Sequence, residues 1–214
     1  MKHKIGIIGS GQVAQALAKG FSELGHKVMM GSRDPQKLNE WKSKAGVSIE
    51  TGSFEEASAF GDVVVWAVKG TVALRLAESL AGPLQNKIVM DTTNPIADAP
   101  PQNGVLKYFT DLNESLMEKM QKAVPTARFV KAFSSVGSTL MVKPQFQAKP
   151  TMFICGNDEQ AKEIITAFAE AFGWEVADMG KVEAARAIEP LAILWCLPGF
   201  IRNEWSHAFK LLIK

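Results

Sequence analysis

Runs of apolar residues alternate along the chain between two spacings, one of strand type and one of helix type, nearly to its end. The run 4–9 (KIGIIG) is followed by Val13, Ala16, Leu17, Phe21 and Leu24 on one face at a 3.6-residue period, which predicts a strand and then a helix. The run 27–32 (KVMMGS) leads into 35–45, with Pro35 suited to a first helical position, Asp34 before it as the helix cap and Gly46 as a stop. A short VSIE, a strand over 62–68, a helix through Leu80 and a strand over 87–91 come next. Asp111 and Glu114 have the spacing of a capping box for a helix carrying Leu112, Leu116 and Met120. Strands over 128–133, 151–155 and 174–179, with a helix over 158–172, complete the series, and the segment from about Lys181 is helical in pattern.

Strands that alternate with helical crossovers, several of them continuously apolar, imply a parallel sheet covered on both faces. The expected fold is therefore α/β: a Rossmann-type, doubly wound, mainly parallel sheet over 1–180, with a short C-terminal helical segment over 181–214 that packs on the domain or on a partner subunit. Ligands of such sheets bind beyond the carboxyl ends of the strands, where the strand order reverses. That places the chemistry in the loops after the first, fourth, fifth and sixth strands, and 94–109 and 134–149 are long enough to suggest function.

The first of these loops carries Gly9 and Gly11, with Ala14 in place of a third glycine, between a strand and a well-patterned helix. In that context the spacing reads as a dinucleotide-binding turn whose helix N-terminus takes a pyrophosphate. After the second strand, Arg33 precedes Asp34. An acid there would hold the ribose hydroxyls of NAD, whereas Ser32, Arg33 and Lys37 supply the donors and charge that the 2′-phosphate of NADP requires. With Asp34 occupied as a helix cap, the stretch reads as a site for NADP.

Composition adds limits. Of 214 residues, 24 are basic and 22 acidic, and no basic stripe points to nucleic acid. No segment has the roughly 18 uninterrupted apolar residues of a membrane helix, so the expectation is no membrane and a cytoplasmic protein. Cys155 and Cys196 have no metal-ligand spacing, which fits a reducing compartment and no metal. Apolar residues around Leu191 to Phe200 cover more than one helical face, which leaves three expectations: a homodimer through them, a roof over the acceptor site, or a simple core helix.

Five motifs coincide: GIIGSGQVAQALA, GSRDPQKL, DTTNPI, FVKAFSSVG and RAIEPLAILW. Together they resemble the NADP oxidoreductase family typified by coenzyme F-420-dependent enzymes, which pass hydride between NADPH and a 5-deazaflavin. The chain is also similar to the cytosolic reductase domain of the six-transmembrane epithelial antigen metalloreductases. The resemblance implies NADP(H) held by Gly9, Ser10, Gly11, Gln12 and Val13 at the pyrophosphate and by Ser32, Arg33 and Lys37 at the 2′-phosphate. It places Ala67, Val68 and Lys69 beside the ribose, Asn94 and Pro95 near the nicotinamide, and Ala132, Phe133 and Ser134 across from it. Ser134 stands where the family commonly has Asn, which leaves the second substrate open among a deazaflavin, a flavin or another small redox acceptor.

Hydride transfer between flat rings needs positioning above all, so no catalytic side chain is required. His3, His26 and His207, the last expected on a terminal helix, read as structural, and Tyr108 lacks the Lys four residues on of a Tyr-x-x-x-Lys relay. The expected activity is that of an NADPH-dependent oxidoreductase. The alternatives are a noncatalytic NADP(H)-binding or redox-sensing protein, and an imine or keto reductase similar to pyrroline-carboxylate reductases, which needs a larger helical domain than the end of this chain supplies.

Overall fold

The computed structural model describes residues 2–214, with the Lys37 side chain outside the described part. Its strands are β1 Lys4–Ile8, β2 Lys27–Gly31, β3 Glu50–Gly52, β4 Val63–Trp66, β5 Ile88–Asp91, β6 Arg128–Lys131, β7 Thr151–Gly156 and β8 Glu175–Asp178. They form one sheet in the order β3-β2-β1-β4-β5-β6-β7-β8. Neighbours pair in parallel except β6 and β7, which are antiparallel. The helices are α1 Gln12–Glu23, α2 Lys37–Ala45, α3 Phe54–Phe60, α4 Gly70–Ser79, α5 Leu116–Ala123, α6 Glu159–Ala171, α7 Ala185–Ile188 and α8 Leu191–Arg202.

Two apolar layers explain the continuous apolar runs. Ile5, Ile7, Val63, Val65, Ile88, Met90 and Val130 point to one side, against Leu17 and Phe21 of α1 and Ile165 and Phe168 of α6. Ile8, Val64, Trp66, Val89 and Phe129 point to the other, against Ala73 and Ala77 of α4 and Met117 and Met120 of α5. A strand whose successive side chains are all buried has no polar face to show in its sequence.

Several boundaries differ from the sequence reading. Helix α2 begins at Lys37 with Gln36 as its cap, two residues beyond Asp34. Leu38 and Asn39 donate to the carbonyls of Pro35 and Gln36 three residues back, so a tight turn comes between Asp34 and the helix. Helix α3 was not anticipated. Its signal is the capping box of Ser53 and Glu56, in which the Glu56 amide donates to Ser53 Oγ (3.1 Å) and the Ser53 amide to Glu56 Oε2 (2.7 Å).

The box at α5 is Ser115 with Glu118, not Asp111 with Glu114. Asp111 Oδ1 instead accepts the amides of Asn113 and Glu114 in a turn, and Leu112 is exposed. Beyond Arg202 the expected helix gives way to extended chain, because Asn203 turns left-handed at φ 56° and caps α8. His207 lies in this extended stretch: its ring stacks on Trp195, and the Trp195 indole N–H donates to its carbonyl (2.8 Å). The Thr151 amide donates to the Phe209 carbonyl (2.9 Å), which fastens the terminal segment to the start of β7.

Leu194, Phe200 and Ile201 of α8 stand exposed. The homodimer expected through this helix is a proposal, for which light scattering at micromolar concentration is expected to give twice the chain mass. A monomeric mass would remove it.

Candidate functional site

Sheet order reverses between β1 and β4, and their carboxyl ends lie level, with Ile8 in register with Trp66 on one side and Gly31 on the other. A cleft of about 540 Å³ opens there, bringing together Ser10, Gly11, Arg33, Ala67, Val68 and Lys69 of the predicted residues. A groove of similar volume, about 570 Å³, lies beside His3 and His26, before the amino ends of β1 and β2 and away from the switch point. The topology assigns the chemistry to the first cleft.

The glycine loop has the properties of a phosphate cradle. Gly9 adopts φ 134°, a conformation strained for any side chain, and a Cβ there would overlap the Ala67 carbonyl. Its amide donates to the Gly31 carbonyl (3.1 Å), tying the loop to the end of β2. Gly11 caps α1 without a side-chain acceptor, no acid lies in the first turn, and the space over its Cα is open. The first amides of a 12-residue helix are thus left for an anion, with the helix dipole adding to their attraction. Gln12 is exposed and Val13 half-buried in this first turn.

At the end of β2, Ser32 is buried, and its Oγ accepts the Asp34 amide (3.2 Å), which leaves the hydroxyl hydrogen to donate elsewhere. Arg33 is exposed at the rim. Lys37, expected as a second cation, has its side chain outside the described residues. The opposite wall supplies what the sequence reading missed: Val72, Arg75 and Leu76 of α4, with Phe54 of α3. Their helical spacing on α4 was visible, but which face overlooks the cleft was not. The Lys69 ammonium is engaged with Asp98 of the 94–109 loop, and both side chains are exposed.

Asn94, Pro95, Ala132, Phe133 and Ser134 gather at the ends of β5 and β6. Asn94 Nδ2 donates to the Ser134 carbonyl (2.7 Å). Asn94 Oδ1 and Ser134 Oγ are buried without hydrogen-bond partners among the described residues. Buried polar atoms of this kind are uncommon and costly, and Trp66 Nε1 and Arg128 Nε share that state. Phe133 holds a left-handed backbone at φ 58°, and its buried ring meets Phe172 and Trp174 edge-on. Strain of this type, about 1–3 kcal/mol, persists where packing enforces it and tends to collect at functional sites.

Beneath this pair lies a buried ion cluster that the sequence reading did not foresee. Lys131 Nζ sits 2.6 Å from Asp91 Oδ2 and 2.9 Å from Glu189 Oε1, and donates to the Thr93 carbonyl (2.8 Å). Asp91 Oδ1 accepts the Thr93 amide and hydroxyl, while the Glu189 carboxylate accepts the amides of Leu116 and Met117 in the first turn of α5. Burial alone would lower the Lys131 pKa, but the two carboxylates outweigh it and hold the ammonium charged. Its three members come from DTTNPI, FVKAFSSVG and RAIEPLAILW, so separate motifs meet at one point of the fold.

Other titratable groups near the site are structural. The Tyr108 hydroxyl donates to the Glu189 carbonyl (2.8 Å), and burial raises its pKa far beyond use as an acid. Burial pushes the Cys155 thiol up to about 12. Burial also opposes ionisation of Glu118, but its hydrogen bonds with Arg186 and Ser115 prevail and hold the carboxyl at about 2. Among the described residues no group of three or more His, Cys, Asp and Glu side chains gathers as metal ligands would.

Residues 4–95 match the model of the family described as NADP oxidoreductase, coenzyme F420-dependent. Over 200 residues the chain is 30% identical to the metalloreductase STEAP3 of Rattus norvegicus, covering 91% of this chain and 38% of that one. Over 202 residues it is 27% identical to the F420-dependent NADP reductase of Methanocaldococcus jannaschii, covering 89% and 90%. It therefore spans about two fifths of the metalloreductase and nearly all of the archaeal enzyme. A crystal structure of a candidate F420-dependent NADP reductase from Arthrobacter sp. FB24 superposes with a TM-score of 0.91 at 26% identity, covering 99% of this chain and 100% of that one.

Proposed function

We propose, on the match of residues 4–95 to the model of the NADP oxidoreductase, coenzyme F420-dependent family, that the chain is an NADPH-dependent oxidoreductase passing hydride between NADP(H) and a deazaflavin, a flavin or another small redox acceptor. The observation that carries this reading is the cleft itself: an uncapped helix N-terminus beside Gly11, with an arginine at the far rim. Such a site suits a pyrophosphate joined to a 2′-phosphorylated ribose.

The ends of β5 and β6, outside the lining of that cleft, are the proposed place of the nicotinamide. Asn94 and Ser134 carry an amide and a hydroxyl of the kind that pairs with its carboxamide, once a side-chain turn brings Asn94 Oδ1 and Ser134 Oγ to the surface. Bound NADPH supplies the hydride. The chain's own part is to hold the ring face by these two contacts, fix its depth through the rigid Phe133 turn, and keep water away with the apolar walls. No proton transfer by a side chain is needed for that step.

With NADPH bound, oxidation followed at 340 nm is expected to occur with at least one of deazaflavin, FMN, FAD, ferric chelates or quinones. Tight NADPH binding with no oxidation by any of them would make the protein a noncatalytic NADP(H) binder. We further propose the cytoplasm as its location, which suits the unpaired, unreactive Cys155 and the free Cys196.

A further inference from the structure

We propose that Arg75 is a second specificity-determining residue of the cleft, holding the 2′-phosphate of NADP(H) from the wall opposite Arg33. The inference rests on the NADP reading above and adds a residue that lies outside the glycine loop and the strand-two segment.

The chain contains five arginines, Arg33, Arg75, Arg128, Arg186 and Arg202. Arg128 is within 3.7 Å of Asp158, Arg186 within 2.5 Å of Glu118 and Arg202 within 3.0 Å of Glu204. Arg33 and Arg75 have no carboxylate partner among the described residues, and these two line the same cleft. They reach it from separate elements: Arg33 follows β2 on one side of β1, and Arg75 lies on α4, which follows β4 on the other side.

Two guanidinium groups in the lining of one cleft repel each other, and no Asp or Glu is in that lining to offset them. An anion between them turns the repulsion into attraction, and a guanidinium is suited to a phosphate because its donors match two oxygens at once. Phe54, Val72 and Leu76 form an apolar strip of the same cleft. A purine ring on that strip would carry its ribose phosphate to the polar rim, where the charge is needed. A neutral 2′-hydroxyl would gain little from a second guanidinium, so Arg75 serves discrimination between NADP and NAD more than affinity for adenosine.

Isothermal titration with 2′,5′-ADP, 5′-AMP, NADPH and NADH separates the possibilities. For Arg75→Ala, 2′,5′-ADP and NADPH are expected to bind about fivefold or more weakly, with 5′-AMP and NADH changed less than about twofold. Arg75→Lys, which keeps the charge and loses the fork, is expected to fall between. Because the side chain is exposed, the thermal midpoint should stay that of the parent, so a binding loss is not a folding loss. Equal weakening of all four ligands would assign Arg75 to the base instead and overturn the proposal, as would no weakening at all. A parent protein that prefers neither 2′,5′-ADP over 5′-AMP nor NADPH over NADH would overturn the NADP reading and this inference with it.

Discussion

Replacing Lys131 by Met is expected to lower the unfolding free energy by about 3–5 kcal/mol, the cost of removing one partner from a buried ion pair. Methionine nearly matches the lysine stem in length, so lost packing contributes little. What is lost is the charge that two carboxylates face: Asp91 and Glu189 are buried with Lys131, and without the ammonium both must stay charged and uncompensated or take up protons. The helix dipole and amides of α5 still support Glu189, which places the expected loss below that of an isolated buried carboxylate pair. Stabilities of single domains are about 5–15 kcal/mol, so the variant should sit near the edge of folding at 37 °C. Urea denaturation checks this, with the parent slope used to test for two-state behaviour. Adding Asp91→Asn and Glu189→Gln should restore part of the loss, because neutral amides are cheaper to bury than unpaired carboxylates. An unfolding free energy within about 1 kcal/mol of the parent's would mean that the cluster contributes little.

The same cluster shows what could not be read from the sequence. Each member stands within or beside an apolar run, and a charged residue there is visible as an anomaly, yet nothing along the chain says that Asp91, Lys131 and Glu189 are one another's partners. That pairing is created by β5 and β6 lying side by side and by Glu189 returning after a long excursion to meet the first turn of α5. The sheet was legible for the opposite reason: Val63 to Trp66 and Ile88 to Met90 are buried on both sides, so the strand signal is local. Helix boundaries were ambiguous where two caps compete. Asp111 with Glu114 and Ser115 with Glu118 have the same spacing, and only the second puts Leu116, Met117 and Met120 inward. Tertiary burial decides between them, leaving Leu112 exposed and Asp111 with a local turn to hold. At the site, the glycine loop could be read because its requirement is one of backbone shape, whereas Arg75 required knowledge of which face of α4 overlooks the cleft.

Arg33→Ala is expected to weaken NADPH about ten- to hundredfold while NADH binding changes less than about threefold. The two cofactors differ by a single phosphate on the adenosine ribose, carrying close to two negative charges, so the ratio of their dissociation constants isolates the contact with that group. Ser32 can donate its hydroxyl hydrogen to the phosphate, since its oxygen already accepts the Asp34 amide. A hydroxyl supplies one neutral hydrogen bond, however, and the charge compensation falls to Arg33 and the opposing guanidinium. Because Arg33 is exposed, its attraction is partly screened, and the NADPH preference of the parent should shrink as ionic strength rises from 0.01 to about 0.15 M. The variant should show a flatter salt dependence, having lost one of the charges that screening acts on. Equal losses for NADPH and NADH would instead assign the Arg33 side chain to the adenine face, and Ser32 and Arg75 would then be left to tell the two cofactors apart.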